Sequence, residues 1–145
     1  MITAIEYAID RIVVEEGFEA FPYNDKTGTR VSCHPEGNLT WLYGLNLETE
    51  GSRELGILIL RWKLGKLHAE LLRYSWYVMI NDVRASVLLE IAYNTGVQGL
   101  LHFPVMIAAL RRGDWESAQA ECHVKNPELK DRYARLGKLL LTGVL

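Results

Sequence analysis

Between Gly17 and Gly51 this sequence cannot carry a long helix, and that break governs how the rest is read. Pro22, Gly28, Pro35, Gly37 and Gly44 recur too closely for any helical stripe. Proline removes a backbone donor, and glycine lowers helix propensity. Short alternating runs at Thr29–Ser32 and Leu39–Leu45 read as small strands joined by turns. Helical patterning surrounds the break on both sides. The expected fold is therefore α+β, in a single domain spanning 1–145. A helix over 1–16 leads into a β-containing lobe at 17–51. A connecting helix at 52–74 then leads to a helical lobe at 75–145.

The helices follow from apolar spacing. Ile2, Ile5, Ile9 and Ile12 are three and four apart, one face of an amphipathic helix. Thr3 is a candidate N-cap and Gly17 a stop. Ile57, Leu60, Leu64, Leu67, Leu71 and Tyr74 give the second helix its stripe, with Ser52 as its N-cap. Further helices are expected at Asp82 to Tyr93, with Val83, Val87 and Ile91 inward, and at Leu100 to Leu110. Two more are expected, from Asp114 to about Cys122 and over 128–142. Asn94-Thr95-Gly96, Gly113, Asn126-Pro127 and Gly143 punctuate them.

Composition limits the function classes. The net charge of -2 divides into -6 over residues 1–51 and +4 over residues 52–145. Without a basic surplus, nucleic acid is not the expected partner. A cleft between oppositely charged regions could instead orient an anionic polymer. No apolar run reaches the ~18 residues of a membrane span, so no stable membrane anchor is expected. Glu6, Asp10, Arg11, Glu15 and Glu16 interrupt any apolar core a signal peptide would need. Folding in the cytosol is the expectation. Cys33 and Cys122 form no metal-binding spacing, and the pair Cys33-His34 lacks a second pair. No metal is expected.

The next step of four along the first helical stripe lands on Glu16, where the helix would otherwise place a core residue. Burial there would favour the protonated form, and so would the negative end of the helix dipole. Asp25 lies in a polar turn between Asn24 and Lys26-Thr27-Gly28, where it would stay ionised. Thr40 could hold a water beside it. Two carboxyl groups with such divided environments are what glycoside hydrolysis uses, one to protonate the leaving oxygen and one to act on water.

The run Glu16-Gly17-Phe18, the eight residues between Glu16 and Asp25, and Thr40-Trp41-Leu42-Tyr43-Gly44-Leu45-Asn46-Leu47 resemble the active-site region of the phage-type lysozymes, a family of glycoside hydrolases. The resemblance continues through R-A-S-V-L-L-E-I-A-Y-N-T-G from Arg84, G-L-L-H-F, A-L-R-R-G-D-W-E-S-A, R-Y-A-R-L and a terminal Thr-Gly. It thus covers almost the whole chain. It implies a lysozyme-like fold with the cleft between its lobes. Glu16 would be the general acid, and Asp25 with Thr40 would position the attacking water, giving inversion. Tyr93 and Asn94 would line the cleft floor, and Arg132 would sit against Glu16. An Asp at position 25 favours hydrolysis over the transglycosylase route.

The implied activity is that of a muramidase. It would cleave the β-1,4 bond between N-acetylmuramic acid and N-acetylglucosamine in peptidoglycan, without metal or organic cofactor. The implied context is a phage or prophage endolysin, a monomer held in the host cytoplasm and passed to the periplasmic wall by a holin-like partner. Three features depart from the family pattern. The segment between Asp25 and Thr40 is longer. Leu42 stands where glycine is usual. His123-Val124-Lys125-Asn126 replaces a Ser-x-Trp-x-x-Gln motif. The longer segment and Leu42 favour one alternative, a wall-binding or structural module that kept the fold with impaired catalysis. A lytic transglycosylase is a closer alternative, against which Asp25 argues.

Overall fold

Thr3 starts the first helix. Its hydroxyl accepts from the backbone N–H of Glu6 at 3.4 Å, satisfying one of the donors that a helix start leaves open. Helix α1 then runs Ala4–Glu16 and stops at Gly17, whose φ of 71° few other residues adopt. The computed structural model describes residues 3–20, 27, 40–41, 45–46 and 51–145. Ser52 caps α2 (Arg53–Leu71), accepting from the N–H of Leu55 at 3.1 Å. A short α3 (Ser75–Val78) precedes α4 (Asp82–Leu101), which Asn81 caps by accepting from the N–H of Arg84 at 3.0 Å.

Gly96 interrupts α4, with φ 73° and ψ 166°. The expected helix from Leu100 to Leu110 is divided instead at His102 and Phe103. Pro104, which has no N–H to give to a helix interior, opens α5 (Pro104–Arg112). Asp114 caps α6 (Trp115–Ala120) by accepting from the N–H of Ser117 at 3.1 Å. A single 3-10 turn, Pro127–Leu129, leads into α7 (Lys130–Thr142).

The α+β expectation is overturned, and with it the β-sheet lobe over 17–51. Among the described residues the fold is helical throughout, apart from one short pairing. That pairing is a two-residue antiparallel bridge, with Thr40 opposite Asn46 and Trp41 opposite Leu45. Strands of ordinary length hold about five residues, and about three are needed to present an apolar face. Glycine and proline disfavour a helix, but they do not by themselves specify a sheet. The expected strand at Thr29–Ser32 lies outside the described residues, as do residues 39 and 42–44 within Leu39–Leu45.

Helix α4 is the axis of the core. Helices α1 and α2 pack on it and on each other, and α7 packs on it from the C-terminal side. Val87, Leu88, Leu89, Ile91 and Ala92 are all buried, so α4 is covered on every side through residues 85–92 rather than along one stripe. On α1 the buried face is Ala4, Ala8, Ile9 and Ile12. The two alanines let the helix lie close against its neighbours, and Ile5 is only half-buried. Gly137 serves the contact between α6 and α7. A Cβ there would stand 3.3 Å from the Gln119 carbonyl oxygen.

The end of α7 is fastened to the start of α4. Arg84 donates from Nε to the carbonyl of Leu140 at 2.8 Å and from Nη2 to that of Leu141 at 3.0 Å. Its guanidinium also lies 3.9 Å from the centre of the Trp115 ring. Asn81 donates to the carbonyl of Gly143 at 2.9 Å. Two donor side chains, one of them a cation, therefore satisfy carbonyls that the helix end would leave open. This attachment fixes the register of α7, and α7 carries Arg132.

Candidate active site

Glu16 is the last residue of α1, four residues beyond the buried Ile12. The helix face that is core at Ala4, Ala8 and Ile12 reaches solvent at this turn, and the Glu16 side chain is 43% exposed. The burial expected from its place on the stripe is therefore not found. Its carboxylate is held from below. Arg132 Nη1 donates to Glu16 Oε1 at 2.9 Å across 116 residues of sequence.

Arg132 is itself buried, and it is divided between two acids. Its Nε donates to Glu90 Oε1 at 3.0 Å. Glu90, with 1% of its side chain exposed, also accepts from Arg11 Nε through Oε2 at 2.8 Å. Arg11 Nη2 reaches Ser86 Oγ at 2.8 Å, and Ser86 donates to the carbonyl of Val83. The result is a line of alternating charges, Arg11–Glu90–Arg132–Glu16, threaded between α1, α4 and α7. Burial opposes the charge on Arg132. Its bonds to Glu16 and Glu90, together with their charges, more than offset that and hold its pKa above the usual arginine value.

Glu16 opens onto a cavity of about 190 Å³ between α1, α2 and α4, lined in part by Phe18, Arg53, Ile57, Leu60 and Tyr93. Tyr93 is half-buried there, and its hydroxyl is raised above the ordinary tyrosine pKa by burial and then by the charge of Glu16, with Arg132 opposing. It therefore stays protonated near neutral pH and can donate a hydrogen bond. Lys63 Nζ lies 4.0 Å from the centre of the Tyr93 ring, which places a cation on the side facing α2.

The structure brings Glu16, Arg132 and Tyr93 together. Asn94 is not among the residues that line this cavity. It is exposed, and its amide donates to the carbonyl of Glu90 at 3.3 Å. Asp25 lies outside the described residues, and Thr40 is described only through its backbone in the two-residue bridge. Leu42, Cys33 and His34 also fall outside.

Sequence reasoning did not single out Glu90 or Arg11. Their signal was present. Glu90 is the one charged residue in the run Ala85–Ala92, and an acid within an apolar helix on all sides requires a buried partner. Among the described residues no three His, Cys, Asp or Glu side chains converge as a metal site would need. No described helix is long and apolar enough to cross a membrane. No family model and no curated protein matches the chain.

Proposed function

We propose that this chain is a peptidoglycan muramidase of the phage or prophage endolysin type, with Glu16 as its general acid. The observation that carries the reading is the Glu16–Arg132 pair, whose acid lines the 190 Å³ cavity. A carboxyl group that is to meet a substrate oxygen must be accessible and fixed in direction. Glu16 is open to solvent on one side and held on the other by an arginine that α4 and α7 immobilise. Tyr93 adds a hydroxyl donor beside it, suited to the hydroxyls and amides of an N-acetylated sugar. The motifs shared with the phage-type lysozymes point to the same residue. Asp25 and Thr40, on the resemblance alone, are assigned to the attacking water.

The test is cleavage of purified peptidoglycan, read as new reducing ends and as loss of turbidity in permeabilised Gram-negative cells. Wild-type protein should release muramic acid reducing ends, and Glu16→Gln should not. Normal release by the variant would remove Glu16 from the mechanism and the assignment with it. A second reading rests on the exposure of Glu16. A carboxylate paired with arginine and open to water also suits a module that binds glycan without cleaving it. Sedimentation with insoluble peptidoglycan, with no reducing ends formed by the wild type, would select that reading.

A further inference from the structure

A general acid must alternate between a protonated and an ionised form, and each form makes a different demand on the arginine beneath it. Were Glu16 the only partner of Arg132, taking up a proton would strand a guanidinium with 9% of its surface exposed. That cost would hold Glu16 ionised. The structure supplies a second acid. Glu90 holds Arg132 Nε at 3.0 Å from the opposite side, and Arg11 holds Glu90 in turn.

We infer that Glu90 is the standing counter-ion of Arg132, so that Glu16 can take and release its proton without leaving the arginine uncompensated. Glu90 is then a positioning residue. It does not reach the cavity, and it acts on the substrate only through Arg132. The consequence for catalysis rests on the muramidase reading. The charge arrangement itself does not.

The groups around the line define its response to pH. Arg11 faces Glu90 from α1, Arg132 and Tyr133 from α7, and Cys122 from the segment after α6. Tyr93 of α4 faces Glu16, and α2 brings Arg53 to the cavity. Glu15 and Arg135 form a separate exposed pair alongside. The thiol of Cys122 is pushed up to about 12 by burial first and the charge of Glu90 second. It therefore stays neutral across the range in which a carboxyl titrates, as do the raised hydroxyls of Tyr93 and Tyr133. The two acids and two arginines are left to set the balance.

The two kinds of role predict opposite signs. If Glu90 carries the compensation, Glu90→Gln leaves Glu16 as the sole counter-ion of Arg132 and removes a nearby negative charge. Both changes favour ionised Glu16. If Glu90 only packs the core, its replacement loosens Arg132 and weakens its hold on Glu16, which favours the protonated form.

The experiment is a carbon-13 NMR titration of the Glu16 side-chain carboxyl in the intact protein. It compares wild type with Glu90→Gln, Glu90→Asp and Arg11→Met. The Glu16 midpoint should fall in Glu90→Gln and return toward wild type in Glu90→Asp, which restores the charge. It should rise in Arg11→Met, where Glu90 neutralises Arg132 more fully. In parallel, the alkaline limb of kcat/KM on peptidoglycan should move to lower pH in Glu90→Gln. An unmoved or higher midpoint in Glu90→Gln overturns the inference. Should that variant fail to fold, an unmoved midpoint in Arg11→Met, whose side chain reaches the surface, overturns it equally. The expected titration shifts in a protein that cleaves no peptidoglycan would uphold the charge arrangement and refute the muramidase reading.

Discussion

Glu90 and Arg132 meet at 3.0 Å between α4 and α7, the acid with 1% of its side chain exposed and the base with 9%. Charges so far from water are tolerated only in company, and here each has two partners. Replacing Glu90 by alanine would leave two guanidiniums short of an acceptor where one has access to solvent and the other almost none. Loss of one member of a buried pair costs about 3–5 kcal/mol. Urea denaturation should register a destabilisation of that order, and a loss below about 1 kcal/mol would mean that water already screens the pair.

Glu16 should behave in the opposite way. It is 43% exposed, and pairs at the surface contribute at most about 1 kcal/mol. Glu16→Gln should therefore melt within a few degrees of wild type while losing release of reducing ends. A large drop in melting temperature would show that Glu16 is chiefly a structural partner of Arg132.

Cys122 supplies a pH signature for the folded state. Its thiol has an ordinary value of 9.0 and is pushed up to about 12 in the fold. Between those values the unfolded chain has released the proton and the folded chain has kept it. Stability from this source is thus complete below about pH 9 and is lost as pH rises toward about 12. Native protein at pH 8 should react with a thiol reagent at Cys122 only on unfolding. Cys122→Ala should show a shallower fall in melting temperature above pH 9 than wild type. Equal slopes would count against the buried thiol as their source.

Arg84 fastens the end of α7 through two carbonyls and the Trp115 ring. Arg84→Met keeps the aliphatic stem but removes both donors and the cation. A loss of about 2 kcal/mol is expected from two charged hydrogen bonds to a helix end. Trp115 emission should change with it, because the guanidinium leaves its face. An unaltered denaturation midpoint would show that Asn81 alone secures the helix.

The helices were legible because their signals are local. Thr3, Ser52 and Asp114 are followed at the right distance by helical runs, and Gly17, Gly113 and Gly143 end helices with positive φ. The α+β expectation fails because a sequence that disfavours a helix does not thereby specify strands. The burial of Glu16 was misjudged because a stripe gives direction around a helix and not depth along it. At Glu16 the helix has run past its neighbours. Arg11 and Glu90 were not read because their meaning lies in a third residue. The apolar surroundings of Glu90 show that a partner is required, but only the packing of α1 and α7 on α4 names it.

The contact between Glu16 and Arg132 also carries a consequence for the order of assembly. It closes a loop of 116 residues, and the entropy of closing so long a chain falls due before the pair can return any of it. Contacts of such separation form slowly. Arg132 follows Glu16 by 116 residues, so a growing chain exposes Glu16 long before the residue that aims it exists. A molecule stalled before α7 docks would carry its acid unaimed.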